Sequence, residues 1–207
     1  MGKLVRIMDS TPGLRERKKA ETRQAVHEAA LRLAIEHGLD NVTVEAIADA
    51  ANISRRTFSN YFDGKEDALL YGDEQRLGTL VRRVHEQPAA SSAWQALRDA
   101  LEQLYDESDE TDEAGGSDRE LHLRTRLAMR HPSLLARQLA SRVRLESELS
   151  RAVAGRARPD GVDPEVITAA FLAALRIAMQ WWCAEQESRT LRELMGRALD
   201  QMSRPFG

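Results

Sequence analysis

The sequence predicts an all-α protein, with a three-helix N-terminal domain over residues 15–65 and a larger helical domain over residues 66–207. Charged residues make up 30% and aromatic residues 5% of the 207 residues, a composition that suits a mostly helical protein. Apolar side chains recur at helical spacing, as at Val26, Ala29 and Leu33. The period-two alternation of strands does not appear over any useful length.

A helix-turn-helix over residues 42–62 is the best-defined local feature. The hydroxyls of Thr43 and Ser54 can each accept a hydrogen bond from an orphan N–H at the start of a helix. Apolar residues stand one position before and four positions after each cap, which is the spacing of a hydrophobic staple. These pairs are Val42 with Ile47 and Ile53 with Phe58. Two staples so close together predict a rigid pair of short helices.

The second of these helices separates an apolar face from a polar one. Phe58 and Phe62 lie one turn apart and can dock the helix on the core. The other side chains are of the kinds that read DNA, because Arg can fork onto guanine, Asn onto adenine, and Ser or Thr onto phosphate. They are Arg55, Arg56, Thr57, Ser59 and Asn60. The pattern favours a helix in the major groove, with a solvated face of an ordinary helical bundle as the alternative.

The charge distribution favours a nucleic-acid partner at one end of the chain. The net charge is −3, yet residues 1–65 carry 11 Lys and Arg against 9 Asp and Glu, which leaves −5 for the rest. A basic run precedes or begins the first helix, which is predicted over residues 17–36 and ends at Gly38. The run consists of Arg15, Arg17, Lys18, Lys19 and Arg23. Such a run can act as an arm along phosphates or in a minor groove, or it can be a solvated tail.

Enzyme chemistry has no recognisable constellation in this sequence. The five His are scattered without zinc spacing, and we find no glycine-rich phosphate loop and no nucleophile elbow. We therefore predict no catalytic residues, no metal and no cofactor. One cysteine excludes an internal disulfide and favours a reducing compartment. Because the N-terminus also lacks the features of a secretory signal, we expect a cytoplasmic protein.

The order of the motifs over residues 18–70 is more specific than any one of them. Ala-Leu-Arg-Leu-Ala-Ile-Glu-His-Gly stands at 30–38, Val-Thr-Val-Glu-Ala-Ile-Ala-Asp-Ala-Ala-Asn-Ile-Ser at 42–54, Arg-Thr-Phe-Ser-Asn-Tyr-Phe at 56–62 and Gly-Lys-Glu-Asp-Ala-Leu at 64–69. In combination they resemble the tetracycline-repressor (TetR) family of transcriptional regulators. The chain departs from the family pattern at Phe58, where Tyr is common, and at Gly64, where Ser is common.

The resemblance implies which residues of the first domain contact DNA. The matching positions are Thr43, Arg55, Arg56, Thr57, Asn60, Tyr61 and Lys65, and the polar face described above adds Ser59. Lys65 begins a helix that is predicted to run to residue 86. Its ammonium and the helix N-terminus can together hold a phosphate.

The second domain is predicted to contain further helices over residues 91–107, 118–130, 132–155, 164–187 and 190–202. Residues 108–117 contain four acidic residues and two glycines, and we expect a solvated loop there, with metal binding as the less favoured alternative. The stretch from His131 through Leu139, with Glu146, resembles the family's subgroup that binds acyl-CoA-like ligands.

Residues 166–184 are apolar enough to raise the question of a membrane. Arg176 lies in the middle of this segment, and a central Arg costs about 2.5–3.5 kcal/mol on insertion scales. We therefore expect a helix buried in protein, with no membrane partner. The resemblance implies a homodimer through the last two helices. A dimer would also bring two reading helices to half-sites about one helical turn apart.

A ligand pocket in the second domain would combine apolar walls with a few polar anchors. The apolar candidates are Trp94, Leu127, Phe171, Leu175, Met179, Trp181 and Trp182, and the polar candidates are His122, Arg126 and Arg176. Core packing and structural ion pairs are the alternative use of these residues.

The sequence therefore favours a sequence-specific transcriptional regulator that acts as a dimer on a palindromic double-stranded DNA operator. The expected form is a repressor that a small apolar or acyl-type effector releases from DNA. The alternatives are a regulator without a small-molecule ligand and an architectural DNA-binding protein. An architectural protein usually relies on overall positive charge, which this chain lacks.

Overall fold

The computed structural model describes residues 13–111, 125, 127, 131–158, 162–184 and 189–203. Over these residues the chain forms helices and no strand. The helices are α1 (Leu14–His37), α2 (Val44–Ala50), α3 (Arg55–Ser59), α4 (Lys65–Glu86), α5 (Ala93–Thr111), α6 (Pro132–Val153), α7 (Pro164–Ala184) and α8 (Leu191–Ser203). The prediction of an all-α fold with an N-terminal helix-turn-helix is confirmed.

The chain divides into two compact units, Met1–Gly72 and Asp73–Gly207. The division falls within α4 rather than at the expected boundary after residue 65. Ala68 and Tyr71, on the first turns of α4, are buried and belong to the first unit. Burial of these side chains explains why the start of α4 packs with α1 to α3.

Gly38 ends α1 with a backbone conformation that favours glycine. Its φ is +77° and its ψ is 145°, and its N–H donates to the carbonyl of Ala34 at 3.1 Å. The predicted stop is confirmed, although ψ is extended rather than left-handed helical. A short 3-10 turn, Leu39–Asn41, follows and buries Leu39. The chain thus reverses direction before α2.

Two glycines in α4 have different surroundings. A Cβ added at Gly72 would lie 2.6 Å from Nε2 of His27, whereas a Cβ at Gly78 would meet nothing within 4 Å. The His27 ring is buried, and its Nδ1 lies 2.9 Å from the carbonyl oxygen of Ala68, which requires Nδ1 to be the donor. Because the ring is held in this way, it has little room to move aside.

Gly72→Ala is therefore expected to lower the free energy of unfolding by about 1–3 kcal/mol through overpacking. Gly78→Ala is the matched control on the same helix. It should raise stability by about 0.8–1 kcal/mol, because alanine has the higher helix propensity. Urea-induced unfolding followed by circular dichroism measures both changes. Equal effects of the two substitutions would contradict the close approach of His27 to Gly72.

The predicted loop after α5 is wrong in its first part. α5 continues to Thr111, so residues 108–111 are helical and not a loop. The physical reason is that these residues include neither Gly nor Pro, and nothing in the local sequence ends the helix there. Residues 112–117 lie outside the described residues. So does the predicted helix over 118–130, apart from Thr125 and Leu127, which are both helical.

The core of the second unit is built around α7. Phe171, Ala174 and Ala178 are fully buried there, in one cluster with Leu191 and Leu194 of α8. At the surface, Arg192 of α8 reaches two carboxylates of α5, Asp106 at 2.6 Å and Glu102 at 2.8 Å. These hydrogen bonds raise the pKa of Arg192 above its ordinary value. They tie α5 to α8.

Candidate nucleic-acid interface

Both predicted helix caps are confirmed. Thr43 Oγ1 accepts a hydrogen bond from the N–H of Ala46 at 3.1 Å, and Ser54 Oγ accepts one from the N–H of Thr57 at 3.0 Å. The first residue after each cap begins its helix, α2 or α3. Each hydroxyl therefore satisfies one of the donors that a helix start leaves open.

The staple residues are mostly buried, as their spacing predicts. Val42 and Ile47 are 3% and 0% exposed, and Phe58 is 1% exposed, whereas Ile53 is only half-buried. Burial of Phe58 fixes one side of the five-residue α3 against the first unit. A helix this short depends on such packing, because it has too few internal hydrogen bonds to be stable alone.

The turn between α2 and α3 depends on Asn52, a residue that the sequence analysis did not single out. Asn52 has a φ of +54°, a conformation that Asn tolerates better than most residues. Its N–H donates to Asp49 O at 3.0 Å, and the N–H of Ile53 donates to Ala48 O at 2.9 Å. These two bonds form a Schellman motif. They fix the chain between the two helices.

The polar face of α3 is open to solvent. Arg55, Arg56, Ser59 and Asn60 are exposed, as predicted for side chains that would reach a duplex. Thr43, at the start of α2, is exposed as well. The caps and the turn hold the backbone of α3 in place, so the helix presents this surface in one orientation.

Two of the candidate side chains on α3 already have partners within the protein. Arg55 Nη1 lies 2.8 Å from a carboxylate oxygen of Glu45, and the pair is exposed. Exposed ion pairs contribute about 0–1 kcal/mol, so a phosphate can replace this carboxylate at low cost. The half-buried Thr57 has its hydroxyl 2.8 Å from Ser54 Oγ. Thr57 therefore contributes to the cap of its own helix.

Lys65 is anchored to the turn that precedes α2. Its Nζ donates to Leu39 O at 2.8 Å and to Val42 O at 2.9 Å. Two of the three N–H groups of the ammonium are thus used inside the first unit, and one is left for another acceptor. Tyr61, the remaining candidate, is half-buried, and its carbonyl accepts from Arg23 at 3.4 Å.

The basic run does not form a separate arm within the described residues. Because α1 begins at Leu14, Arg15, Arg17, Lys18 and Lys19 are exposed side chains on a helix. Arg23 departs from them, since it is half-buried and turned into the first unit. Arg23 therefore differs in its surroundings from the other four cations, and phosphate binding by the run stays a prediction.

The candidate ligand residues of the second unit have unequal exposure. Phe171 is fully buried and meets Trp94 edge-on, with 6.3 Å between ring centroids. The partly buried candidates are Trp94, Leu127, Leu175, Met179, Trp181 and Trp182. Arg176 is exposed and donates to Gln180 at 3.3 Å. His122 and Arg126 lie outside the described residues.

Two features near α6 were not predicted. An open groove of about 280 Å³ lies between α4 and α6. Its lining residues are Glu74, Leu77, Gly78, Ser141, Arg144, Leu145 and Glu148. Burial and, second, the positive charge of Arg176 on α7 lower the pKa of Arg142 on α6 below its ordinary value. Sequence periodicity holds no signal for either feature, since each combines residues from two helices.

Comparison with known proteins places this architecture in a family. Residues 27–71 match the family model for bacterial regulatory proteins of the tetR family, and residues 91–207 match the model for the MftR C-terminal domain. The chain belongs to the TetR family. It is 33% identical over 204 residues to the HTH-type transcriptional regulator TcmR of Streptomyces glaucescens. The aligned region covers 92% of this chain and 87% of TcmR.

Two further TetR-family comparisons agree. The chain is 27% identical over 189 residues to the putative mycofactocin biosynthesis transcriptional regulator MftR of Mycobacterium tuberculosis (strain ATCC 25618 / H37Rv), covering 89% of this chain and 90% of MftR. The crystal structure of Thermus thermophilus FadR with lauroyl-CoA shares the fold, with a TM-score of 0.56 at 23% identity over 87% of this chain and 93% of that one. As a member of the TetR family, the protein whose sequence is given above is a DNA-binding transcriptional regulator.

Proposed function

We propose that the protein is a cytoplasmic homodimer that represses transcription from a palindromic operator and leaves it when a small apolar or acyl-type molecule binds. The observation that carries the proposal is the exposed polar face of α3. Arg56 and Asn60 stand on it, and Ser54 and Phe58 hold the helix in place by a cap and by burial. In this proposal Arg56 and Asn60 read base edges.

The other candidate residues would fix the position of the protein on the duplex. Thr43, Arg55, Ser59 and Tyr61 are proposed to contact the sugar-phosphate backbone, and Lys65 to bind a phosphate through its remaining N–H. Arg55 would exchange Glu45 for a phosphate. Backbone contacts of this kind set the register but carry no sequence information.

The dimer is proposed from the surface of α7. This helix is long and apolar enough to cross a membrane by length and composition, and only 33% of the most apolar window is buried within one protomer. Val166 is 52% exposed on it, and Ala169 is exposed as well. We propose that this open face, together with α8, packs against a second copy. Interfaces of stable dimers commonly bury about 800 Å² or more on each partner.

The effector is proposed for the second unit. FadR, which shares the fold, binds lauroyl-CoA, and the partly buried Leu175, Met179 and Trp182 provide apolar surface of the kind that an acyl chain contacts. By linkage, an effector lowers operator affinity only to the extent that it binds the DNA-free geometry more tightly.

Selection from a random duplex library followed by footprinting tests the DNA part of the proposal. A short protected palindrome with two half-sites is the expected result, and uniform coverage would contradict it. Titrating the operator complex with lauroyl-CoA, with free CoA as the control, tests the acyl part. Release by lauroyl-CoA alone supports an acyl effector. If operator binding is unchanged when the protein is saturated with lauroyl-CoA, lauroyl-CoA is not the effector.

Lys65→Ala is expected to weaken binding to all DNA sequences alike and to reduce the slope of log K against log salt by about one. It should also destabilise the first unit by about 1–3 kcal/mol, because two carbonyls lose a charged donor. Fluorescence anisotropy at several salt concentrations measures the first effect, and thermal unfolding measures the second. A loss of stability with an unchanged salt slope would mean that Lys65 serves only the fold.

A further inference from the structure

Arg23 of α1 stands across two aromatic rings of the first unit. Its guanidinium carbon lies 5.1 Å from the centroid of Tyr71 and 5.5 Å from that of Phe62. Both rings are buried, and they meet edge-on with 5.8 Å between centroids. Each distance is within the range of a cation–π contact, which is stronger where water is excluded.

The same guanidinium reaches the chain directly after α3. Arg23 Nη2 donates to the carbonyl of Tyr61 at 3.4 Å, and Tyr61 follows Asn60, the C-terminal cap of α3. Carbonyls at a helix C-terminus carry partial negative charge and favour a nearby cation. The Nε atom of Arg23 is buried and has no hydrogen-bond partner among the described residues. The described contacts of the head group are therefore all made within the first unit.

The rings link Arg23 to the residue that anchors α3. The Phe62 ring lies 5.6 Å from the Phe58 ring, and Phe58 is the buried residue of α3. Tyr71, on the other side of the guanidinium, belongs to α4. Arg23 thus connects α1, the end of α3 and the start of α4.

We infer that Arg23 is a positioning residue, which holds the C-terminal end of α3 in the orientation needed to read bases and does not itself touch DNA. The inference depends on the proposed function, in which α3 enters the major groove. A base contact requires a fixed side-chain position, whereas a phosphate contact tolerates small displacements. Loss of Arg23 should therefore reduce sequence preference more than general DNA affinity.

The test compares Arg23→Met with Lys19→Met, an exposed cation on the same helix. Both substitutions remove one positive charge. Affinities for the operator and for a scrambled duplex of equal length are measured over a range of salt, at a temperature where circular dichroism shows both variants folded. Arg23→Met should lower the ratio of the two affinities roughly tenfold, about the effect of one lost base contact, with an unchanged salt slope. Lys19→Met should leave the ratio unchanged.

A double-mutant cycle supplies a readout that a phosphate contact would not change. If Arg23 acts through the ring of Tyr71, Tyr71→Leu should also lower the affinity ratio, and the double substitution should lower it less than the product of the two single effects. If Arg23→Met fails to fold, Arg23→Lys takes its place in the cycle. Lysine keeps the charge but loses the forked donor geometry, so an intermediate ratio is expected.

Three results would overturn the inference. One is an equal loss on both duplexes with a salt slope reduced by about one, which marks a phosphate contact. Another is a wild-type affinity ratio in the Arg23 variants, and the third is strict additivity with Tyr71→Leu. If the wild-type protein shows no preference for any operator, the proposed role of α3 fails first. The inference about Arg23 fails separately when the wild type has a preference and any one of these three results is found.

Discussion

Replacing Val166 with glutamate is expected to separate the dimer and to lower affinity for a palindromic operator by about 10²–10⁴-fold, the gain that linking two binding modules provides. Val166 is 52% exposed on the open apolar face of α7. In a two-fold interface each copy would bring an unpaired carboxylate against an apolar surface, and burial of an unpaired charge is strongly unfavourable. A monomer would then contact only one half-site at a time.

Sedimentation velocity measures the oligomeric state. Titration against a full palindrome and against an isolated half-site measures how much affinity is gained by binding both half-sites at once. Val143→Glu is the matched control, because Val143 is 69% exposed but lies on α6. We expect that variant to remain dimeric with wild-type operator affinity. If the Val166→Glu variant remains dimeric with full operator affinity, this face of α7 is not the dimer interface. A monomeric Val143→Glu would indicate an interface that includes α6.

The features that were predictable from the sequence depend on residues close together in the chain. The caps at Thr43 and Ser54 each involve a backbone N–H three residues away, so the local sequence contains the whole interaction. The role of Asn52 is also local, but it was not predicted. Asn adopts a positive φ more often than most residues other than glycine, but the conformation is still uncommon. The presence of Asn52 is therefore only a weak signal for this turn.

The features that were not predictable join distant residues. Lys65 binds carbonyls 26 and 23 positions earlier, and Arg23 binds one 38 positions later. In the sequence Arg23 appears as one member of the basic run and Lys65 as a cation at a helix start. Charge alone does not distinguish a cation that faces solvent from one that binds a carbonyl. Only the fold shows that Arg23 is turned inward between two rings.

The sequence also does not show which of the candidate ligand residues are core residues. The sequence predicted Phe171 and Leu175 of α7 as apolar walls of a pocket, and in the structure Phe171 belongs to the core cluster and Leu175 packs against it. The sequence did not distinguish Phe171, which is fully buried in the core, from Leu175, which is only partly buried. Whether an apolar side chain faces core or ligand depends on the neighbouring helices. The residues His122 and Arg126 lie outside the described part of the chain, so their assignment stays a prediction.

Arg56→Ala is expected to relax base preference at one position of each half-site, by roughly 5–150-fold against the preferred base, which corresponds to about 1–3 kcal/mol for a good bidentate pair. Arg56 is exposed on α3. The substitution should leave the free energy of unfolding nearly unchanged, because surface changes of this kind usually stay within about 0.5 kcal/mol. Binding to the operator and to every single-base variant, at one fixed salt concentration, measures the effect.

The control for Arg56 is Arg32→Ala, which removes the same charge from an exposed position on α1. Arg32→Ala should leave the order of preference among the operator variants intact. Arg55→Ala should differ from both, because it also leaves the carboxylate of Glu45 without its partner beside the duplex. A free carboxylate repels every phosphate backbone alike, so Arg55→Ala should weaken all sequences together.

The variants of Arg56, Arg32 and Arg55 each remove one positive charge, so differences among them distinguish base contacts from backbone contacts by the position of the residue. Arg56 is the second residue of α3, and residues near the N-terminus of a reading helix lie closest to base edges. A variant whose losses are equal across all operator variants would place Arg56 on the backbone instead. Base reading by α3 would then depend on Asn60, whose substitution should relax base preference in its place.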